Sequence, residues 1–228
     1  MNLLLISIAP VFIILAYIYY RDKYEQEPLL LLAKGLVAGC IIVIPTLFFE
    51  HLLQSIGSHL SGLNAAAWNA FIVAALVEEA FKFAAVYLLI WRNPNFNEMF
   101  DGIVYAVFVS LGFALVENIS YVFRDDAGFQ VGLMRSFTAV PAHAMFGIMM
   151  GYRFGLAKFI SNRRTEFLVM AFIVPFFFHG VYDFILMSQE SVLILLFIPF
   201  VMYLLWRSII RMKELLQNSF FKPENEMD

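Results

Sequence analysis

A single cysteine, Cys40, sits in an apolar run. It leaves no disulfide framework within the chain and no cysteine-rich zinc motif. Charge is also scarce: 14% of the residues are Asp, Glu, Lys or Arg, and the net charge is −3. There is no basic patch with interleaved aromatics, which removes support for nucleic-acid binding. No internal repeat and no separate soluble domain is visible. Met1-Asn2-Leu3-Leu4 has no basic character, and no small-x-small cleavage site precedes Arg21. The first apolar run therefore reads as an uncleaved span and not as a signal peptide. There is no H-E-x-x-H motif.

What is present is apolar. Of 228 residues, 62% are hydrophobic and 26 are Phe, a membrane composition. A span needs roughly 20 residues, and seven runs approach that length: residues 3–20, 29–53, 65–91, 102–123, 133–159, 167–187 and 192–210. The expected fold is all-α, a polytopic membrane protein with about seven transmembrane helices around an intramembrane polar cavity. Residues 1–210 form one transmembrane domain, and 211–228 form a polar, acidic tail expected to be disordered and cytoplasmic. Counting Lys and Arg in the links gives the orientation. With the N-terminus outside, twelve fall on the cytoplasmic side, and only Arg124 and Arg135 fall outside. The expected topology is N-terminus outside and C-terminus inside.

Four of these spans carry groups that a bilayer excludes. A charge near the bilayer centre costs roughly 2.5–3.5 kcal/mol on insertion scales, so such residues pair, line a wet cavity or do chemistry. The third span has Glu78, Glu79 and Lys82. Lys82 lies four residues after Glu78 and three after Glu79, within helical reach of either. Alone, this trio also reads as an ion pair that locks two helices. The fourth span has Glu117 and Asn118, the fifth His143, and the sixth His179 with Asp183 one turn on. Asp183 is placed to orient His179. At 1.5 Å per residue, Glu78 lies roughly 20 Å from the outer end of its span, His143 roughly 15 Å, His179 roughly 12 Å and Glu117 roughly 9 Å. The four groups can share one cavity open toward the outside. His51 and His59 fall at or beyond a span end and read as interfacial. Gly147, Gly151 and Gly155 follow His143 at four-residue spacing, a pattern for close helix packing. Pro141 and Pro175 are expected to kink their helices just before each histidine.

The order of these pieces resembles a known family. Glu78-Glu79-x-x-Lys82 comes first, then Phe100-Asp101-Gly102-Ile103-Val104-Tyr105, then Gly112-Phe113 with Glu117-Asn118. His143-Ala144 with Gly147 follows, and last His179-Gly180-x-Tyr182-Asp183-Phe184. Together with Tyr20-Arg21-Asp22 and Glu27-Pro28 they resemble the PrsW intramembrane proteases over the chain to about Phe184. Prenyl-protein (CAAX) endopeptidases and bacteriocin-immunity membrane proteins share the motif order. They usually carry Arg one position beyond Lys82 and Asn where this chain has Asp183.

The resemblance implies a membrane-embedded peptidase of the bacterial cell membrane. It would make the first, extracytoplasmic cut in a single-span substrate such as an anti-sigma factor. Two mechanisms stay open. In a metal-free one, Glu78 is the general base beside Glu79 and Lys82; His143 holds the water, and His179 and Asp183 stabilise the oxyanion side. In a metal-dependent one, His143, His179 and a carboxylate (Glu78 or Glu117) bind Zn²⁺, and a remaining Glu is the base. Lys82 and Asn118 are supporting residues, and Glu117 with Asn118 also reads as a structural bridge to the Lys82 cluster. The rival classes are a proton- or ion-coupled transporter using the same groups as a relay and a non-catalytic binding or immunity protein of the same fold.

Overall fold

The computed structural model describes residues 3–223. These residues form helices joined by short links, with no strand among them. Helix α1 is Leu3–Arg21, α2 Leu29–Ile56 and α3 Gly62–Ala67. A π-helical segment, Trp68–Ala75, joins α3 without a break to α4, Leu76–Ile90. Then come α5 Asp101–Arg124, α6 Gly128–Phe137, α7 Ala139–Phe159, α8 Arg164–Met187 and α9 Ser191–Gln217. With residues 62–90 taken as one pass and α6 as a short insertion, seven helical passes remain. The protein is an all-α polytopic membrane protein.

Among the described residues, five helical stretches are long and apolar enough to cross a membrane: Leu3–Arg21, Leu29–His59, Asp101–Arg124, Ser161–Met187 and Ser191–Gln217. The other two passes are the ones loaded with polar groups. One is α3 to α4, with Glu78, Glu79 and Lys82; the other is α7, with His143, Arg153 and Lys158. Their apolar surplus is smaller because they carry these charged and polar side chains.

Helix α5 is the hub. Residues 101–114 are buried almost without exception, packed between α2 and α7. Glycine makes this possible at two crossings. A Cβ on Gly151 would sit 2.2 Å from the Gly102 carbonyl oxygen, and one on Gly39 would sit 2.0 Å from that of Val109. Backbones therefore touch where α5 crosses α7 and α2, as small residues in membrane helices allow.

Several expectations need correction. The third span is not one regular α-helix; its first half is α3 and the π-helical segment. Residues 133–137, expected at the start of the fifth span, belong to α6. The break falls at Thr138 (φ −122°, ψ −77°). Pro141 is therefore in the first turn of α7, where the missing N–H removes no helical bond, and it kinks nothing. Pro175 does lie inside α8. The last helix continues to Gln217, past the expected end at 210. Residues 224–228 of the tail lie outside the described residues.

Candidate active site

Every polar side chain singled out in spans three to six lies at one end of the bundle. Glu78, Glu79 and Lys82 open α4, and His143 opens α7. Glu117 and Asn118 lie late in α5, and His179 and Asp183 late in α8. Antiparallel passes alternate direction, so early positions on α4 and α7 meet late positions on α5 and α8.

Lys82 is the centre. It is fully buried, and its ammonium donates to Glu78 Oε2 and Glu79 Oε1, both at 2.9 Å. A third contact, 3.1 Å, runs to His143 Nδ1, and the Phe113 ring lies beneath at 4.5 Å. Since an ammonium has no lone pair, Nδ1 of His143 accepts. The ring proton is then on Nε2, which donates to Glu117 Oε2 at 2.8 Å. Lys82 thus sets the tautomer of His143 from across the helix interface.

His179 is held from both sides. Its Nδ1 meets Glu79 Oε1 at 2.9 Å, and its Nε2 meets Asp183 Oδ2 at 3.2 Å. The ring stacks on Phe146 at 4.8 Å and lies 5.6 Å from the His143 ring. Glu79 is fully buried between Lys82 and His179, while Glu78 keeps 6% of its surface exposed. The neighbours diverge as helical geometry requires: Glu79 is locked, and Glu78 is the carboxylate that water can reach.

Two participants went unread in the sequence. Arg135 on α6 places Nη2 2.9 Å from Glu117 Oε2, an ion pair by distance without hydrogen-bond alignment. Its Nε donates to Asn118 Oδ1 at 2.9 Å, and Asn118 donates onward to the Ser7 carbonyl of α1 at 2.8 Å. Arg135 had registered only as a link charge; a cation just ahead of a histidine-bearing span was the signal. Glu50 on α2 lies within electrostatic reach of Glu78, Glu117, Lys82 and His179. It closes an apolar run next to His51, where a carboxylate reads as interfacial.

Donor atoms of Glu78, Glu79 and His179 all lie within 4.8 Å of one another, and Glu79 Oε2 is buried without a hydrogen-bond partner. Imidazole with two carboxylates is a sound set for a catalytic divalent metal, so the residues fit one. This grouping differs from the expected His143, His179 and Glu78: the Lys82 ammonium occupies His143 Nδ1, and Glu79 stands in its place.

Paired carboxylates, two oriented imidazoles and a buried lysine inside an apolar bundle define a class, the polytopic membrane protein that carries hydrolytic chemistry within its helices. Residues 27–206 match the model of the PrsW family intramembrane metalloprotease, and the chain belongs to that family. It is 38% identical to Protease PrsW of Geobacillus kaustophilus over 189 residues, covering 83% of this chain and 81% of the relative. It is 37% identical to Protease PrsW of Clostridioides difficile over 211 residues, 91% and 88% of the two chains. Against Protease PrsW of Bacillus subtilis the identity is 31% over 209 residues, 91% and 93%. No solved structure matches. The protein is a membrane-embedded protease.

Proposed function

We propose that the Lys82-centred cluster is the active site, and that it makes the first, extracytoplasmic-side cut in a single-span membrane protein of the anti-sigma-factor kind. One observation carries the proposal: a single buried ammonium gathers Glu78, Glu79 and His143, while Glu79 and Glu117 bind both histidines into the same network.

Peptide hydrolysis needs an activated water, a stabiliser for the oxyanion and a proton donor for the departing amine. Glu78, more accessible than the adjacent Glu79, takes the proton from the attacking water. Glu79 and Lys82 fix its position. The Nε2–H of His143, presently given to Glu117, faces the same space and orients the water. His179, backed by Asp183 and Glu79, stabilises the side where negative charge develops, and the proton that Glu78 took from the water passes on to the departing amine. Were the family's metal bound, Glu78, Glu79 and His179 would hold it, it would supply Lewis-acid polarisation and lower the pKa of bound water, and the remaining Glu117 would be the base.

Orientation rests on the Lys and Arg asymmetry of the links. With the N-terminus outside and the C-terminus in the cytoplasm of a bacterial cell membrane, the cluster lies toward the outer face, where a first cut would fall. The test is reconstitution with a single-span anti-sigma factor and mapping of the cut by mass spectrometry. A cut in the outer half of the substrate span or just outside it is expected. A cut at the cytoplasmic end would overturn the orientation, and cleavage left intact in a Glu78→Gln His179→Ala variant would overturn the site. The transporter reading gains no support from the comparisons.

A further inference from the structure

A second polar centre lies at the other end of α5. Asp101 and Glu117 are sixteen residues apart on that helix, roughly 24 Å at 1.5 Å per residue, so the two centres share no side chain. Five carboxyl groups meet here: Asp22, Glu25 and Glu27 from the link between α1 and α2, and Glu98 and Asp101 at the start of α5. Asp22, Glu98 and Asp101 are fully buried, and Glu27 is 2% exposed. One oxygen from each of Glu25, Glu27 and Asp101 lies within 4.8 Å of the others.

Three of these carboxylates are held in the same way, one oxygen tied by a donor and the other without one, except where Glu27 and Asp101 share a proton between them. The Tyr105 hydroxyl donates to Glu27 Oε2, and Oε1 is left. The backbone N–H groups of Asn97 and Glu98 donate to Asp101 Oδ2 at 2.8 Å each, and Oδ1 is left. The Ser219 hydroxyl donates to Glu98 Oε2, and Oε1 is left. Both oxygens of Asp22 and Oε2 of Glu25 are also buried without a hydrogen-bond partner among the described residues. A bare buried acceptor costs about 1–3 kcal/mol, more when charged. Unpaired buried acceptors gathered around the Glu25, Glu27 and Asp101 oxygens do not persist as a packing accident. Fixed donors on one oxygen that leave the other free are how proteins orient carboxylates toward a metal. An all-oxygen, carboxylate-rich set selects a hard divalent cation, and oxygens on opposite sides of Ca²⁺ stand roughly 4.6–5.2 Å apart.

We propose that this cluster binds a hard divalent cation of the Mg²⁺, Mn²⁺ or Ca²⁺ kind. Glu27 and Asp101 are its main ligands, Glu25 and Asp22 complete the set, and the ion staples the link between α1 and α2 to the start of α5. Burial, with the Asp101 charge next, pushes the Asp22 carboxyl up to about 8 and that of Glu27 up to about 9. Arg21 ends α1 beside Asp22, yet its buried Nε also has no hydrogen-bond partner.

The test is thermal unfolding of the full chain in detergent micelles. The protein is first chelated, then titrated with MgCl₂, MnCl₂ or CaCl₂ against NaCl at matched ionic strength. Ligand binding to the folded state raises the midpoint saturably. The expected result is a saturable rise with at least one of the three cations, and Mn²⁺ bound at this site by electron paramagnetic resonance. Glu27→Gln keeps an acceptor for Tyr105 and should raise the half-saturating concentration at least tenfold. The Glu78→Gln His179→Ala variant lacks the active-site donors and should keep the wild-type response. A wild-type midpoint indifferent to all three cations would overturn the proposal, with protons and Arg21 then balancing the charge. So would a response lost in the active-site variant and kept in Glu27→Gln.

Discussion

At the residue scale the account turns on Lys82. One ammonium serves two carboxylates and an imidazole, so its removal acts on three groups at once. Lys82→Met leaves Glu78 and Glu79 without their shared counter-charge and frees His143 Nδ1. Breaking a buried ion pair by removing one partner costs about 3–5 kcal/mol. Partial loss of cleavage with an altered pH profile is expected, and wild-type rates at every pH tested would show that Lys82 is irrelevant to the reaction. Asp183 acts through His179 Nε2 and touches neither reacting atom. Removing such an orienting partner typically costs about 10–100-fold. Asp183→Asn is expected to fall in that range in kcat with KM little changed, whereas a KM-only effect would make Asp183 a substrate contact. These side chains were legible in the sequence because charge inside an apolar run is conspicuous. Their pairing was not. That Glu79 and not Glu78 would take His179, and that Arg135 would reach Glu117, depends on rotation and helix crossing, which no linear pattern encodes.

At the element scale, the passes were legible and their irregularities were not. Long apolar runs bounded by charged links fix where helices begin and end within a few residues. Residues 68–75, the π-helical stretch Trp-Asn-Ala-Phe-Ile-Val-Ala-Ala with no proline or glycine, carry no sequence mark that separates them from an α-helix. The segment sits directly before Glu78, and π-turns recur at functional sites. It brings Phe71 onto Gly180, where an added Cβ would lie 2.2 Å from the Phe71 ring. Helix α6 escaped because residues 133–137 are apolar enough to read as the start of the next span. The glycine stripe was read correctly as a packing device. On α7 the contact is backbone to backbone, so Gly151→Val has nowhere to put its side chain. A drop in the thermal midpoint well beyond the usual overpacking cost of about 1–3 kcal/mol is expected. A midpoint within 2 °C of wild type would contradict the backbone contact.

At the scale of the whole molecule, the two polar centres lie at opposite ends of one buried helix. The end that holds His143, His179 and the paired glutamates is the proposed site of chemistry. The end that holds Asp22, Glu27 and Asp101 ties links together. Both centres use motifs visible in the sequence, yet only the first announces a reaction, because histidine among carboxylates does and carboxylates alone do not. If the family metal sits on Glu78, Glu79 and His179, a membrane-permeant chelator should abolish cleavage and added Zn²⁺ should restore it. Cleavage indifferent to chelation would leave Glu78 acting with Lys82 and the histidines alone. The most direct measurement compares wild type with Glu78→Gln in proteoliposomes that contain a single-span anti-sigma factor, both proteins shown folded by matching thermal midpoints. A shortened fragment from wild type, and at least a hundredfold less from Glu78→Gln, is the predicted result. Equal fragment from both would remove the Lys82 cluster from catalysis.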